Sequence, residues 1–212
     1  GAGSMPAAVS LRVRNPAGLE QLETFPTMGY SWGGMLGPGT FFPTGSLYYG
    51  NEVLPPVPDA IQYVKARLIP RHRGDVGARV GEEQALPELA RAVEQADPGW
   101  RGTGVVMSAG RVRIAYAVGG APVEEDLYAV LATLQLPGSG LSPPLVSQIA
   151  DHLYGVRAAR GRLGDATKAA QTMVMSTRPN LRWFSRYVQL CQALTRIEMD
   201  RIRAAGEMSR II

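Results

Sequence analysis

The residues that could do chemistry are few. Gly29-Tyr30-Ser31-Trp32-Gly33 matches the pattern G-x-S-x-G. In α/β-hydrolases that pattern carries a nucleophilic serine on a strained strand-to-helix turn. Such a serine needs a base, and the chain has two histidines, His72 and His152, within whose reach the hydroxyl would have to lie. The flanking residues do not supply the rest of the device. Thr24-Phe25-Pro26-Thr27 does not read as a buried parallel strand, and Gly37-Pro38-Gly39 stands where the helix should run. The segment reads instead as a Gly-rich aromatic loop, with a serine hydrolase of Ser31 and His72 or His152 as the alternative.

Glu124-Glu125-Asp126 is an acidic run of the kind that can hold a divalent cation or move a proton. Placed beside a turn, it reads as the solvated start of a strand, and Glu82-Glu83 reads the same way. Asp151-His152 are sequence neighbours, which a regular strand points to opposite faces. There is no H-E-x-x-H, no cysteine cluster and no phosphate-cradling glycine loop, so neither metal nor cofactor is expected. Arg73-Gly74-Asp75 matches an adhesion tripeptide too short to carry weight. Cys191, the single cysteine, allows no intrachain disulfide and reads as a small core residue.

The elements that must position these residues centre on Gly110 to Leu136. Val112, Ile114, Tyr116 and Val118 alternate with Arg113, Ala115 and Ala117, and Gly119-Gly120 then offers the positive φ of a hairpin turn. Leu127 to Leu136 is apolar on both faces, as in a strand covered from two sides. Helices are expected from Asp59 until Pro70, from Pro87, and from an N-cap at Asp165. Val9 to Arg14, Leu19 to Phe25, Val76 to Gln84, Thr103 to Ser108 and Leu153 to Ala159 read as strands, and Leu145 to Ala150 as a helical turn. Pro26 to Gly50 is expected to be irregular or edge structure anchored by Phe41, Phe42, Tyr48 and Tyr49.

Trp183, Tyr187, Leu190, Leu194, Ile197, Met208 and Ile211 fall on a heptad seam interrupted by Arg201. That seam predicts a long C-terminal helix that associates with a partner or with its own copy. Arg196, Arg203 and Arg210 recur every seven residues beside it. A basic stripe can track phosphates or an acidic membrane, but Glu198, Asp200 and Glu207 dilute it. With a net charge of +4 over 212 residues, no nucleic-acid partner is expected. No apolar run reaches membrane-spanning length. Gly1 to Ser4 reads as a cloning remnant, 5–178 as one domain and 179–212 as a helical arm that continues past Ile212. Cytosol and export after removal of a leader remain equally compatible.

The order of elements resembles the PsbP-like α/β/α sandwich over about Met28 to Arg178: a helix near Asp59, strands, a helix near Pro87, the meander GRVRIAYAVGGAPVEEDLYAVLATLQL, the strand LYGVRAA and the helix DATKAAQTMVMS. That resemblance implies an antiparallel sheet with helices on both faces, and a binding or assembly protein. It carries over no functional residue. The expectation is an α+β sandwich serving as a non-enzymatic binding or assembly module.

Overall fold

The computed structural model describes residues 10–16, 18–34, 37–96, 98–100, 102–138 and 143–176, then the single positions 182, 186, 189, 192, 193, 196, 197 and 200. The chain divides into two units, Gly1–Ala170 and Gln171–Ile212.

Three long strands make the frame of the first unit. β7 (Val106–Val118), β8 (Ala121–Leu136) and β9 (Leu145–Ala159) form an antiparallel meander. The expected hairpin is present. Gly119 and Gly120 turn at φ of 56° and 83°, the positive values that a two-residue turn matched to strand twist requires. β8 begins earlier than its apolar run suggested, so the acidic residues lie inside it, with Ile114 opposite Glu125 and Arg113 opposite Asp126. β7 runs uninterrupted through Ala109-Gly110, so the expected strand ending at Ser108 and the one beginning near Gly110 are one. Gly110 is there for another reason: a Cβ on it would stand 2.6 Å from Ile61, so its bare backbone lets the first helix approach the strand.

The remaining strands are β1 (Arg12–Arg14), β2 (Gln21–Thr24), β3 (Met28–Gly33), β4 (Leu47–Tyr48), β5 (Asn51–Val53) and β6 (Arg79–Ala85). The sheet runs β4-β5-β3-β9-β8-β7-β6, with β2 joining β1 to β9. β3 and β5 are parallel, so the sheet is mixed. β2 and β3 lie end to end along β9, pairing with Tyr154 to Arg157 and with Leu145 to Ala150 respectively. They read as one strand broken at Phe25-Pro26-Thr27.

The helical elements are short: α1 (Ala60–Tyr63), a π-helix (Val64–Leu68), α2 (Ile69–Arg73), α3 (Pro87–Ala96), a 3₁₀ turn (Pro98–Trp100) and α4 (Leu163–Ser176). Asp59 caps α1, its Oδ1 accepting from the Gln62 N–H at 2.8 Å. Pro70 does not end this helix. A proline removes an amide donor and crowds the carbonyl four residues back. The π turn before it, where the Ile69 N–H reaches the Val64 carbonyl, widens the spiral, and the chain continues to Arg73.

An antiparallel α/β/α sandwich with a long C-terminal helix is therefore not what forms. The sheet has nine strands and mixed direction. The longest helix with described bounds is α4, of 14 residues, and the helical pieces cover patches of sheet rather than forming a layer flanking each face. The main core joins Tyr63, Val64 and Leu68 to Val112, Ile114, Leu127, Ala129 and Leu131. Smaller cores join Leu163 and Ala170 to Tyr128 and Val156, and Ala90 to Ala109 and Val130. In the second unit, the described positions beyond α4 are helical and exposed. No helix among the described residues is long and apolar enough to cross a membrane.

Candidate functional site

β9 pairs regularly with β8 except at one point. Tyr128 faces Tyr154 and Val130 faces Asp151, so Ala129 alone opposes His152 and Leu153. This extra residue is a β-bulge, a device that redirects side chains and recurs beside binding sites. The strand on the other side is broken at the same level, where the Phe25 N–H donates to the Leu153 carbonyl at 2.8 Å. Both ladders flanking β9 are thus interrupted around residues 151–153.

His152 takes φ of 51° at the bulge, the left-handed region in which a side-chain-bearing residue is uncommon and histidine is among those enriched. Asp151 holds it there: its Oδ1 accepts from the His152 N–H at 2.7 Å and from the Thr27 hydroxyl at 2.8 Å. Its Oδ2 lies 3.7 Å from the His152 imidazole Nδ1. The expectation that neighbours on a strand face opposite ways fails here because the bulge breaks the alternation.

Asp151 and His152 line a cavity of about 430 Å³. Its walls are Leu89, Val93 and Ala96 of α3, then Trp100, and from the sheet Met107, Val130, Ala132 and Ile149. The sequence sets this up. Pro87 starts α3, Leu89 and Val93 recur at helical spacing toward the sheet, and small Ala92, Ala96 and Ala132 leave room that larger side chains would fill. The size and lining are those of a small-molecule site: mostly apolar walls with a few polar groups at one place.

Among the described residues, Ser31 and His152 do not come together. Ser31 is buried on β3, and its hydroxyl accepts from Asn51 Nδ2 at 3.0 Å. It pairs with Ser147, four positions along β9 from Asp151, which at about 3.3 Å per residue is roughly 13 Å away. The Gly-rich stretch around it was expected to be irregular but is an inner strand. A Cβ on Gly29 would strike Asn51 Oδ1, so this glycine serves the packing of β5. His72 lies in α2 with its ring 4.5 Å from that of Phe25. Burial, then the Arg73 charge, lowers its pKa. Arg196 and Ile197 are helical and exposed, Ile197 at 51%. Trp183, Tyr187, Leu190, Leu194, Arg203, Met208, Arg210 and Ile211 lie outside the described residues, as does Cys191.

The acidic run is not solvated. Glu125 is 0% exposed and Asp126 1%. Glu125 takes two hydrogen bonds from Arg73, at 2.8 and 2.7 Å, and one from the Tyr116 hydroxyl at 2.7 Å. Arg73 also reaches Glu23 at 2.6 Å, and Glu23 pairs with Arg12. Burial raises the pKa of Glu23, but its bonds to Arg12 and Arg73 outweigh that and leave it lowered. Burial, then the Glu125 charge, raises the Tyr116 hydroxyl. A Cβ on Gly155 would come within 2.6 Å of Glu125 Oε1, so that glycine makes the space. With its acceptors met by protein donors, the cluster ties α2 to β2 and β8. On the other side of β8, Asp126 takes hydrogen bonds from Arg113 and Arg111.

No signal short of the fold identifies the cavity, because it is made by the offset between α3 and a bulged strand. Comparison with known proteins finds no matching family model, no matching curated protein and no matching solved structure.

Proposed function

We propose that this chain is a non-enzymatic binding module. It takes a small ligand with an apolar body and one hydrogen-bonding group in the groove between α3 and the sheet. The observation that carries this is the bulge at His152: a strained residue, fixed by Asp151 and Thr27, in the lining of a mostly apolar cavity. Strain of this kind costs roughly 1–3 kcal/mol and is retained where it serves a site. The ligand's body lies against Leu89, Val93, Met107 and Ile149, and its polar group meets the Asp151 carboxylate or the imidazole. N-phenyl-1-naphthylamine, an apolar probe with one N–H donor, tests the reading. Saturable fluorescence enhancement that Ala96→Phe removes supports it, and equal enhancement in both proteins rejects it.

A second reading concerns the C-terminal unit. The heptad spacing in the sequence and the exposed Ile197 on a helical backbone support self-association through this segment. Sedimentation at several concentrations with and without residues 181–212 tests it. Identical monomeric behaviour of the two forms rejects it.

A further inference from the structure

Of the four residues expected to be packing anchors of the Gly-rich segment, Tyr48 is half-buried and the other three are exposed. Phe41 is 64% exposed, Leu47 71% and Tyr49 90%, and Phe42 is exposed as well. Three rings form a file beside them: Phe42 lies 4.8 Å from Tyr48, and Tyr48 4.6 Å from Tyr49. This projection is held by the backbone. The Gly45 N–H donates to the Val53 carbonyl and the Val53 N–H to the Ser46 carbonyl, both at 2.8 Å. The Gly39 N–H donates to the Phe42 carbonyl at 2.9 Å. Tyr49 turns the β4–β5 hairpin at φ of 48°, an unfavourable value for an aromatic residue that keeps its ring pointing away from the sheet.

Charge decides what such a tip fits. Between Glu23 and Glu52 there is no Asp, Glu, Lys, Arg or His. The charges nearest its base are already engaged: Glu52 with Arg71 at 2.9 Å, and Arg67 with the Pro55 carbonyl at 2.7 Å. A protein-binding hot spot centres on aromatic residues with arginine and a polar, charged rim. A bilayer interface instead favours aromatic rings with hydroxyls at headgroup level, and a zwitterionic one carries no net charge that calls for charged side chains opposite it. Thr40, Thr44, Ser46 and the two tyrosine hydroxyls supply that polarity.

We propose that the β4–β5 tip is a docking surface for the interface of a zwitterionic lipid bilayer, with Phe41, Leu47 and Tyr49 inserted among the headgroups. The proposal is independent of the α3 groove. The test is co-sedimentation of the full chain with phosphatidylcholine vesicles, for the parent and for Phe41→Ser, Leu47→Ser and Tyr49→Ser singly and together. The parent partitions to the vesicles, high salt leaves that unchanged, and each substitution weakens it about tenfold, the effect of keeping one large apolar side chain in water. The side chains are exposed, so thermal midpoints stay near the parent value. As a check that does not depend on the serine variants, Leu47→Trp gains fluorescence that brominated-chain phosphatidylcholine quenches. Absence of parent binding, binding that survives the triple substitution, binding abolished by salt, or a Trp at 47 that is not quenched would each overturn the proposal.

Discussion

Glu125→Ala tests the buried ionic cluster. The substitution deletes the acceptor of two Arg73 hydrogen bonds and of the Tyr116 hydroxyl. Arg73 keeps only part of its compensation, from Glu23 at 2.6 Å and from the His72 carbonyl. Removing one partner of a buried ion pair costs about 3–5 kcal/mol, most of it from the charge left behind. That is a large share of the roughly 5–15 kcal/mol that holds a domain folded. In urea, with a slope of about 1–3 kcal/mol per molar, the midpoint falls by at least about 1 M. Glu124→Ala is the control, because Glu124 is half-buried and accepts one bond, from the Gly161 N–H at 3.1 Å. It should cost less than about 1 kcal/mol. Adding Arg73→Met to Glu125→Ala recovers part of the loss, since no buried cation is then stranded and Glu23 retains Arg12. If Glu125→Ala and Glu124→Ala shift the midpoint equally, or if the double variant is the sum of its parts, the cluster does not hold α2 to the sheet as argued.

Three further outcomes follow from named contacts. His152→Gly relieves the left-handed backbone and raises stability by up to about 1 kcal/mol in a thermal or urea scan, while weakening probe binding in the groove; a loss of stability would mean that the side chain serves packing. Gly155→Ala presses a methyl group on the Glu125 carboxylate and costs about 1–3 kcal/mol as overpacking, and Glu125→Ala should mask much of that cost in a double-mutant cycle. The pH dependence has a defined sign: His72 and Glu23 both have folded pKa values below their ordinary 6.5 and 4.5. Each contribution is full above the ordinary value and is lost as pH falls toward the folded one. Stability therefore declines first below pH 6.5, a phase that His72→Gln removes, and again below pH 4.5.

The β7–β8 hairpin was legible because Val112 to Val118 alternates, because Leu127 to Leu136 is apolar on both faces, and because Gly119-Gly120 tolerates the positive φ of its turn; the first half of β9, expected to be a helical turn, was not. Asp59 and Pro87 were legible as helix starts because caps and first-turn prolines act locally. β3 was not, because its glycines yield space to neighbours such as Asn51 that the sequence does not place beside them. Pro70 misled because a π turn three-dimensionally accommodates what a regular helix rejects. The acidic run looked solvated because Arg73, its partner, is 52 residues away from Glu125 in sequence. His152 was weighed as a base for Ser31, but its setting in the groove depends on a bulge that becomes visible only when Tyr128 and Val130 are paired with Tyr154 and Asp151. The aromatic residues of the tip were read as packing anchors on residue type alone, which does not distinguish a packed side chain from a contact surface.

The central claim is that the groove between α3 and the bulged strand is a ligand site. Titration of the full chain with N-phenyl-1-naphthylamine, followed by energy transfer from tryptophan, tests it most directly, because Trp100 lines the cavity. The account predicts one saturable site, lost with Ala96→Phe, weakened by His152→Gly and Asp151→Asn, and read by weaker transfer after Trp100→Phe, when Trp32 remains as a donor beside β9 and direct probe emission persists. Linear uptake without saturation, or saturable binding that neither Ala96→Phe nor Asp151→Asn changes, would contradict it.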